Sequence, residues 1–462
     1  MPYPLEHFDR DIFRAYDIRG IVDQSLTDAT VYHIGRAFAA TACAQGIREI
    51  LVAADGRLSG PRLKQVLCQG LTDSGCQVLD IGYVPTPVLY FAAHQRPDQT
   101  GIMITGSHNP SDYNGFKMML GGETLSGEQI QSLADRIEQQ AYVDGQGSIE
   151  PLEITQAYAE RIIGDIRLQR PMKVVVDCGN GIAGGIAPEL LKRLGCEVIP
   201  LFCEVDGTFP NHHPDPGKLK NLQDAIAAVT EHQVDLGLAF DGDGDRVGVI
   251  TPSGQVVFPD RVMMLFAEDV LSRNPGAEIL FDVKCSRLLP RVIEQAGGKA
   301  TMWKTGHSLI KRQMKACGAL LAGEMSGHIF FRERWYGFDD GLYSAARLLE
   351  ILSARDENAD AIFSAYPEDI STPEINIEVR EDNKFALVNA LQQVEFPGGQ
   401  VSHIDGVRVD YPDGWGLMRA SNTTPVLVLR FEAENGSALA RIRHEFQSRL
   451  SAIDPDLLIP DA

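Results

Sequence analysis

The chain has 462 residues, of which 44% are hydrophobic and 23% are charged, and its formal net charge is −21. This length exceeds one ordinary hydrophobic core and predicts three or four domains. The acidic charge argues against nucleic acid or an anionic membrane as a partner, so an anionic ligand would need basic residues gathered locally.

The apolar runs, the N-terminal residues and the cysteines indicate the cellular compartment. No apolar run approaches the ~18 residues that a membrane span needs, and residues 1–13 carry charges where a signal peptide has its apolar region. The eight cysteines include no C-x-x-C pair, which indicates reduced thiols and argues against a disulfide framework or a zinc site. We therefore expect a cytoplasmic protein without a membrane partner.

In chain order, one pattern of strands and helices occurs three times. Each copy opens with a β-branched strand that ends in a turn, continues through a helix and a second strand, and reaches a third strand. That third strand runs into a glycine-rich loop, at 101–110, 236–246 and 318–328, and another short strand follows. Alternating strands and helices predict mostly parallel sheets, whose ligands bind beyond the carboxyl ends of the strands. We expect the three loops at that edge.

The pattern breaks from about residue 368. Strands and two helices, near 384–394 and 436–450, predict an α+β domain, and the proline-containing segment 366–374 is a candidate hinge. The sequence thus predicts three successive mixed-sheet α/β domains of like topology and a C-terminal α+β domain around a central cleft. The predicted domains are residues 1–152, 153–255, 256–367 and 368–462.

The strongest local motif is Asp241-Gly-Asp243-Gly-Asp245. In an extended segment alternate residues point the same way, so the three carboxylates can converge, and they repel one another unless a cation lies among them. Oxygen ligands select a hard ion such as Mg²⁺ or Ca²⁺. The spacing does not fit an EF-hand, and a magnesium-type ion would need further ligands such as phosphate oxygens.

Ser107 stands between glycine and histidine in "TGSHNP" (105–110), and two interpretations of it remain open. It can be an ordinary turn serine, or a nucleophile activated by a base or a metal. His108 and Lys117 are nearby in the chain. A phosphorylated serine next to the aspartate loop would supply the anionic ligand that the metal lacks.

Three further loops have weaker signals. "RASNTTP" (419–425) combines one arginine with hydroxyls and an amide, which is typical of a phosphate site. "GEMSGH" (323–328) suits neighbouring sugar hydroxyls, and "FRAYDIRG" (13–20) is either a ligand loop or a structural salt bridge. Gly179, Gly181 and Gly184 match a dinucleotide fingerprint, but only the second repeat has this pattern, so a nicotinamide dehydrogenase is a minor alternative.

Together, "TGSHNP", "DGDGDR", "GEMSGH" and "RASNTTP", in this order, resemble the motifs of the α-D-phosphohexomutase superfamily. The resemblance covers the chain from "FRAYDIRG" to the last helix. The last loop reads S-N-T-T-P where many relatives have S-G-T-E-P, and this variant is similar to the bifunctional phosphomannomutase/phosphoglucomutase subfamily.

The resemblance implies a role for each motif. Ser107 would carry the transferred phosphoryl group, and Asp241, Asp243 and Asp245 would hold Mg²⁺ together with the Ser107 phosphate. The residues expected to read the sugar are Glu324, Met325, Ser326, Gly327 and His328. Those expected to grip the non-reacting phosphate are Arg419, Ala420, Ser421, Asn422 and Thr423. Tyr16, Arg19, Lys284, Gly306 and His307 would lie near the ligand, and His108, Lys117, Arg246 and His328 near the chemistry, with Lys117 and His328 at proton-transfer positions.

The implied reaction is the reversible interconversion of mannose and glucose 1-phosphates and 6-phosphates. It would proceed through a hexose 1,6-bisphosphate that turns end for end, with glucose 1,6-bisphosphate as activator. Four domains around one cleft need no partner, so we expect a monomer. Phosphoglucosamine mutase is the nearest alternative, and a phosphoserine hydrolase is another.

Overall fold

The computed structural model describes residues 3–5, 8–380, 382–422 and 424–460, and the described strands form four sheets. The first sheet contains β1 to β7: Ile18–Ile21, Glu49–Ala54, Gln77–Tyr83, Gly101–Ile104, Tyr113–Leu120, Glu123–Thr124 and Ser148–Pro151. Its helices, α1 to α4, are Asp28–Ala44, Gly60–Thr72, Thr86–His94 and Glu128–Glu138. Its strand order is β1-β5-β4-β2-β3-β7, and β6 pairs with β5.

The second sheet contains β8 to β12: Lys173–Asp177, Glu197–Leu201, Leu236–Phe240, Val247–Ile250 and Val256–Val257. Helices α5 to α7 are Thr155–Asp165, Ala187–Arg193 and Gln223–His232, and short 3-10 helices span Ile182–Gly185 and Leu219–Leu222. The strand order is β12-β11-β10-β8-β9.

The third sheet contains β13 to β16: Glu278–Asp282, Lys299–Trp303, Leu321–Gly323 and Ile329–Phe331. Helices α8 to α12 are Pro259–Arg273, Leu288–Gln295, His307–Cys317, Gly341–Ser353 and Ala359–Ser364. The strand order is β14-β13-β15-β16.

The predicted threefold repeat is confirmed by these strand orders. The three sheets share the successions β5-β4-β2-β3, β11-β10-β8-β9 and β16-β15-β13-β14. In each, three strands are parallel and the fourth returns antiparallel next to the central strand that precedes it. The glycine-rich loops join these last two strands, so each loop lies at the carboxyl end of a parallel strand, where ligands bind in such sheets.

The fourth sheet is antiparallel in every described pairing and confirms the α+β prediction. Its strands, β17 to β22, are Ile370–Ser371, Ile375–Glu378, Gln400–Ser402, Val407–Tyr411, Gly414–Ala420 and Val426–Ala433. Helices α13 and α14 span Lys384–Leu391 and Gly436–Ile453, close to the predicted positions. The first, third and fourth sheets each lie within one predicted segment, whereas strand β12 of the second sheet, Val256–Val257, lies just beyond the predicted boundary at residue 255. The other boundaries stay predictions.

One hydrophobic core runs through the first three sheets, whereas the fourth has its own. Tyr158 on α5 shows how the shared core is built. Its ring packs against Phe91 of α3 and Trp335 near β16, with centroids 5.7 and 6.1 Å away. Its hydroxyl donates to both carboxylate oxygens of Asp340, at 2.8 and 2.9 Å, and Asp340 in turn caps α11 by accepting from the Tyr343 N–H.

The fourth domain contacts the third through polar groups in the turn after β13 and through a small apolar cluster of Val283, Trp415 and Leu417. Arg287 donates to Asp369 at 2.7 Å and to Glu434 at 2.9 Å, and Arg408 donates to the carbonyl of Val283 at 2.7 Å. Its main hydrophobic core is separate from the core that the first three domains share. Among the described helices, none is both long enough and apolar enough to cross a membrane.

Asp340 gives the fold a testable pH dependence. It is 1% exposed, and burial raises its pKa to about 7. The ordinary value is about 3.9, so the folded state holds this proton more tightly than the unfolded state does. The contribution of Asp340 to stability must therefore fall as the pH rises from about 4 to about 7.

Asp340→Asn removes this ionisation and keeps an N-cap side chain. We expect its melting temperature to exceed that of the wild type by more at about pH 8 than at about pH 5, as measured by scanning calorimetry. Asp356→Asn at an exposed position is the matched control and should show no such trend. If the melting temperatures of Asp340→Asn and the wild type differed equally at both pH values, the raised pKa of Asp340 would be contradicted.

Candidate active site

Ser107 lies in the loop after β4, at the carboxyl end of that strand. Its φ is +48°, a left-handed conformation that residues other than glycine seldom adopt. The side chain is 1% exposed, and its Oγ lies 3.1 Å from Asp241 Oδ2 and 3.3 Å from His108 Nδ1. The hydroxyl is therefore buried between the first and second domains and faces the aspartate loop, unlike a serine in a solvated surface turn.

Arg57, which no sequence motif singles out, holds the backbone of this loop. Its Nη2 donates to the carbonyls of Ser107 at 2.9 Å and Asn109 at 2.6 Å. Its Nη1 donates to the carbonyls of Tyr113, at 2.9 Å, and Pro110. One buried guanidinium thus fixes four carbonyls around the serine.

Asp55 completes this clamp. Its Oδ2 lies 3.3 Å from Arg57 Nε and accepts from Thr105 Oγ1 at 2.7 Å and from the Gly106 N–H at 3.1 Å. A Cβ atom at Gly106 would lie 2.2 Å from Arg57 Cζ, so only glycine fits there. The strained serine conformation is therefore imposed by its surroundings.

The three aspartates lie between β10 and β11 and are fully buried. Each offers a carboxylate oxygen, and these oxygens lie within 4.8 Å of one another. Lys117, on β5 of the first domain, donates its Nζ to Asp243 Oδ2 at 2.7 Å and also to Asp245. The predicted convergence is thus present in the fold.

The close charges of this cluster shift the pKa values of its members. Burial and the neighbouring charge of Asp243 raise the pKa of Asp241 well above its ordinary value. Although burial opposes it, the charges of Asp243 and Asp245 raise the pKa of Lys117. The cluster therefore favours added positive charge.

A divalent cation fits these residues. Asp243 Oδ1 and Asp245 Oδ1 are buried and, within the described part of the chain, accept no hydrogen bond. Unpaired buried carboxylate oxygens are costly unless a cation coordinates them. An all-oxygen donor set suits a hard ion.

Next to the aspartates lies a second group, centred on His328. Arg246 Nε donates to His328 Nε2 at 3.0 Å, and His328 Nδ1 lies 3.1 Å from Asp339 Oδ2 and 3.5 Å from Asp245 Oδ1. The His307 and His328 rings are 5.6 Å apart. No sequence motif points to Asp339, which lies in the segment between β16 and α11.

Arg19 joins the N-terminal segment to the serine loop. Its Nη1 donates to Asn109 Oδ1 at 3.1 Å, and its Nη2 donates to Asp17. Both Asp17 and Arg19 are buried. The salt bridge between Arg19 and Asp17 is therefore present, and the Arg19 guanidinium also lies at the edge of the candidate site.

The loop after β15 presents Glu324, which is 2% exposed. It accepts from the Gly306 N–H at 2.7 Å and from Ser326 Oγ at 3.0 Å. The backbone N–H groups of Met325 and Gly327 donate to Asp282 and to the Glu324 carbonyl, at 3.1 and 3.0 Å. These bonds hold the loop so that it can present a carboxylate and a hydroxyl.

In the fourth domain, Arg419 and Ala420 end β21. Arg419 Nε donates to Asp405 at 2.9 Å, whereas its buried Nη2 has no hydrogen-bond partner among the described residues. Ser421 and Asn422 follow in the loop, and Thr423 lies outside the described residues. A buried guanidinium with an unpaired N–H group is suited to binding an anion.

Residues of three domains meet around Tyr16. Its ring is 5.5 Å from that of His307, and a Cβ at Gly306 would lie 3.0 Å from Tyr16 Cδ1. Burial raises the pKa of Tyr16 to about 12, while the charges of Arg419 and Lys284 oppose this rise. The predicted sugar and phosphate residues therefore surround one region.

Fold and site together define a class: a four-domain α/β enzyme with a buried serine against a carboxylate cluster suited to a cation. Family models give its membership. Phosphoglucomutase/phosphomannomutase α/β/α domains I, II and III match residues 10–144, 156–254 and 258–369, and the C-terminal domain matches 374–448. The chain belongs to the phosphoglucomutase/phosphomannomutase family, and the predicted resemblance is confirmed.

Individual relatives agree with this assignment. A phosphomannomutase/phosphoglucomutase of Pseudomonas putida is 60% identical over 97% of both chains. A phosphoglucomutase of Neisseria gonorrhoeae is 56% identical over 98% of this chain and 99% of its own. The crystal structure of a phosphoglucomutase/phosphomannomutase family protein from Burkholderia thailandensis, 51% identical, superposes with a TM-score of 0.94 over 98% of this chain and all of that one.

The arginine clamp on the serine loop predicts a specific defect. Arg57→Lys keeps the charge but cannot hold several carbonyls in a fixed fork. Because small misplacements of a reacting group are costly, we expect mutase kcat to fall by about tenfold to a hundredfold with little change in KM. The coupled assay of glucose 1-phosphate conversion measures both.

Arg62→Lys, at a half-exposed arginine on α2, is the matched control and should retain wild-type kcat. Near-normal kcat in Arg57→Lys would show that the clamp does not position Ser107.

Proposed function

We propose that this enzyme interconverts the 1-phosphates and 6-phosphates of mannose and glucose, reversibly, through phosphorylated Ser107 and a hexose 1,6-bisphosphate. One observation carries the proposal. Ser107 Oγ is buried 3.1 Å from Asp241, at the edge of a carboxylate cluster that favours a cation. In a family of phosphohexomutases, this is the geometry that a phosphoserine and its counter-ion require.

We assign Mg²⁺ to Asp241, Asp243 and Asp245, with the Ser107 phosphate as a further ligand. When bound, the ion would neutralise charge on the phosphoryl group that is transferred. The two unpaired oxygens of Asp243 and Asp245 support this assignment.

The chain's own residues would do the rest of the chemistry. The oxygen of a sugar hydroxyl bonds to phosphorus as the bond from phosphorus to Ser107 Oγ breaks. The sugar hydroxyl proton passes to a base, and the departing Ser107 Oγ takes up a proton and becomes a hydroxyl again. Arg246 and Lys117 bring positive charge to this point, and His328, bonded to Arg246 at 3.0 Å, is our candidate for proton transfer. Positioning and charge neutralisation account for most catalysis of this kind.

The bisphosphate must then turn so that its other phosphate faces Ser107. We propose that Arg419, Ser421, Asn422 and Thr423 grip the non-reacting phosphate in both orientations, and that Glu324 and Ser326 read the sugar hydroxyls. The unpartnered Nη2 of Arg419 supports the grip. The separate core of the fourth domain would let it open for the turn and close for transfer.

Mannose and glucose phosphates are favoured over glucosamine phosphate. The close relatives described above are named as phosphomannomutase/phosphoglucomutase or phosphoglucomutase. We further propose a cytoplasmic monomer that glucose 1,6-bisphosphate activates by phosphorylating Ser107. A higher kcat/KM for glucosamine 1-phosphate than for either hexose phosphate would overturn the substrate assignment.

Covalent catalysis at Ser107 can be tested directly by intact mass spectrometry. Incubation with glucose 1,6-bisphosphate should add one phosphoryl group, which peptide mapping should place on Ser107. Ser107→Ala should stay unmodified and lose activity by orders of magnitude, yet unfold like the wild type, because only one loop hydroxyl is removed. Ser253→Ala, an exposed loop serine with similar hydroxyl contacts, is the control. Near-normal turnover by Ser107→Ala would end the covalent scheme.

Arg419→Ala tests the distant phosphate grip. Loss of a charge-assisted hydrogen bond costs about 1.5–3 kcal/mol, so KM for glucose 1-phosphate should rise by about tenfold or more. Steady-state kinetics would show the change mainly in KM. Arg443→Ala on α14 should leave KM unchanged, and an unaltered KM in Arg419→Ala would exclude the grip.

A further inference from the structure

The glycine motif after β8, which resembles a dinucleotide fingerprint, serves the packing of the chain instead. A Cβ at Gly181 would lie 3.0 Å from Gly242 Cα, and one at Gly184 would lie 2.1 Å from the carbonyl oxygen of Cys203. These glycines are therefore packed against the chain's own backbone, where a pyrophosphate has no room. The same turn contains Cys178.

Cys178 and Cys203 follow the neighbouring parallel strands β8 and β9, and their Sγ atoms are 3.6 Å apart. Backbone bonds hold the two segments together: the Cys178 N–H donates to Leu201 at 3.1 Å, and the Asn180 N–H donates to Phe202 at 2.8 Å. A disulfide requires sulfur atoms about 2.05 Å apart, so closing the gap moves the Cys203 side chain and the backbone segment that carries it.

We propose that Cys178 and Cys203 are a reversible oxidation site, at which hydrogen peroxide converts the two thiols into a disulfide. The Cys203 thiolate attacks one peroxide oxygen, the O–O bond breaks, and hydroxide leaves and is protonated to water. The Cys178 sulfur then attacks the resulting sulfenic sulfur, and the oxygen leaves with the Cys178 proton as a second water. Two thiols and one peroxide thus give one disulfide and two waters.

The two sulfurs differ in solvent exposure, as the proposed order of reaction steps requires. Cys203 is partly exposed, whereas Cys178 is fully buried. Cys203 therefore meets the oxidant first, and Cys178 resolves it.

The pair lies behind the serine loop. Downstream of Cys203, the Phe209 ring lies 5.2 Å from Arg57 Cζ, and His213 donates to the carbonyl of His108. A Cβ at Gly207 would lie 2.6 Å from the Gly56 carbonyl. Drawing Cys203 toward Cys178 would shift the segment that supports the Arg57 clamp, so oxidation should lower turnover.

Peroxide treatment followed by alkylation and non-reducing peptide mapping tests the cross-link without any variant. A peptide joining Cys178 to Cys203 should appear, and dithiothreitol should remove it. Recovery of both residues as alkylated thiols, or of Cys203 as sulfinic acid without a cross-link, would overturn the proposal. The Cys43 and Cys76 sulfurs, 3.9 Å apart, form the internal comparison, and a cross-link confined to them would also overturn it.

The activity measurement rests on the proposed mutase function, whereas the mapping does not. Oxidised wild type and Cys43→Ser/Cys76→Ser should lose kcat by about tenfold and regain it with dithiothreitol, as expected for a displaced reacting group. Cys203→Ser should keep its kcat under the same treatment. Equal loss in Cys203→Ser, or full kcat in the cross-linked wild type, would refute the link to the active site.

Discussion

Asp241, Asp243 and Asp245 are completely buried, and their carboxylates converge on one point. Two unit charges about 4 Å apart repel by about 4 kcal/mol at an effective dielectric constant of 20, so such a cluster persists only with cations around it. Lys117 supplies one positive charge from the first domain, and Arg246 another. The ion pairs that meet this requirement link the first domain to the second. They also mark the place where the charge of a phosphoryl group could be neutralised.

The repeated fold explains how distant segments meet. Each of the three α/β sheets ends a central parallel strand in a glycine-rich loop and then reverses direction. Stacking three such units brings the three loops to one region, and the shared core fixes them there. The fourth domain, with its own core, adds the loop after β21, which we propose grips the non-reacting phosphate. The proposed turn of the bisphosphate would need a fixed reacting centre and a separate phosphate grip that can release and rebind the ligand.

The strand order and the motif loops could be predicted because both depend on local pattern. Strand periodicity and glycine spacing place Ser107 and the aspartates at strand ends, and parallel topology brings those ends together. Arg57 and Asp339 could not be predicted in this way, because their roles arise from contacts with distant segments. Likewise, the closeness of Cys178 and Cys203 depends on the register between β8 and β9, which no sequence motif specifies.

The central claim is that a divalent cation held by the three aspartates contacts the phosphate on Ser107. Phosphorus NMR of the phosphorylated enzyme, with Mn²⁺ replacing Mg²⁺, tests it most directly. Paramagnetic broadening is strong only at short range, so the phosphoserine signal should vanish as Mn²⁺ binds and return with excess Mg²⁺. A sharp phosphoserine signal while the site is saturated with Mn²⁺ would contradict the account.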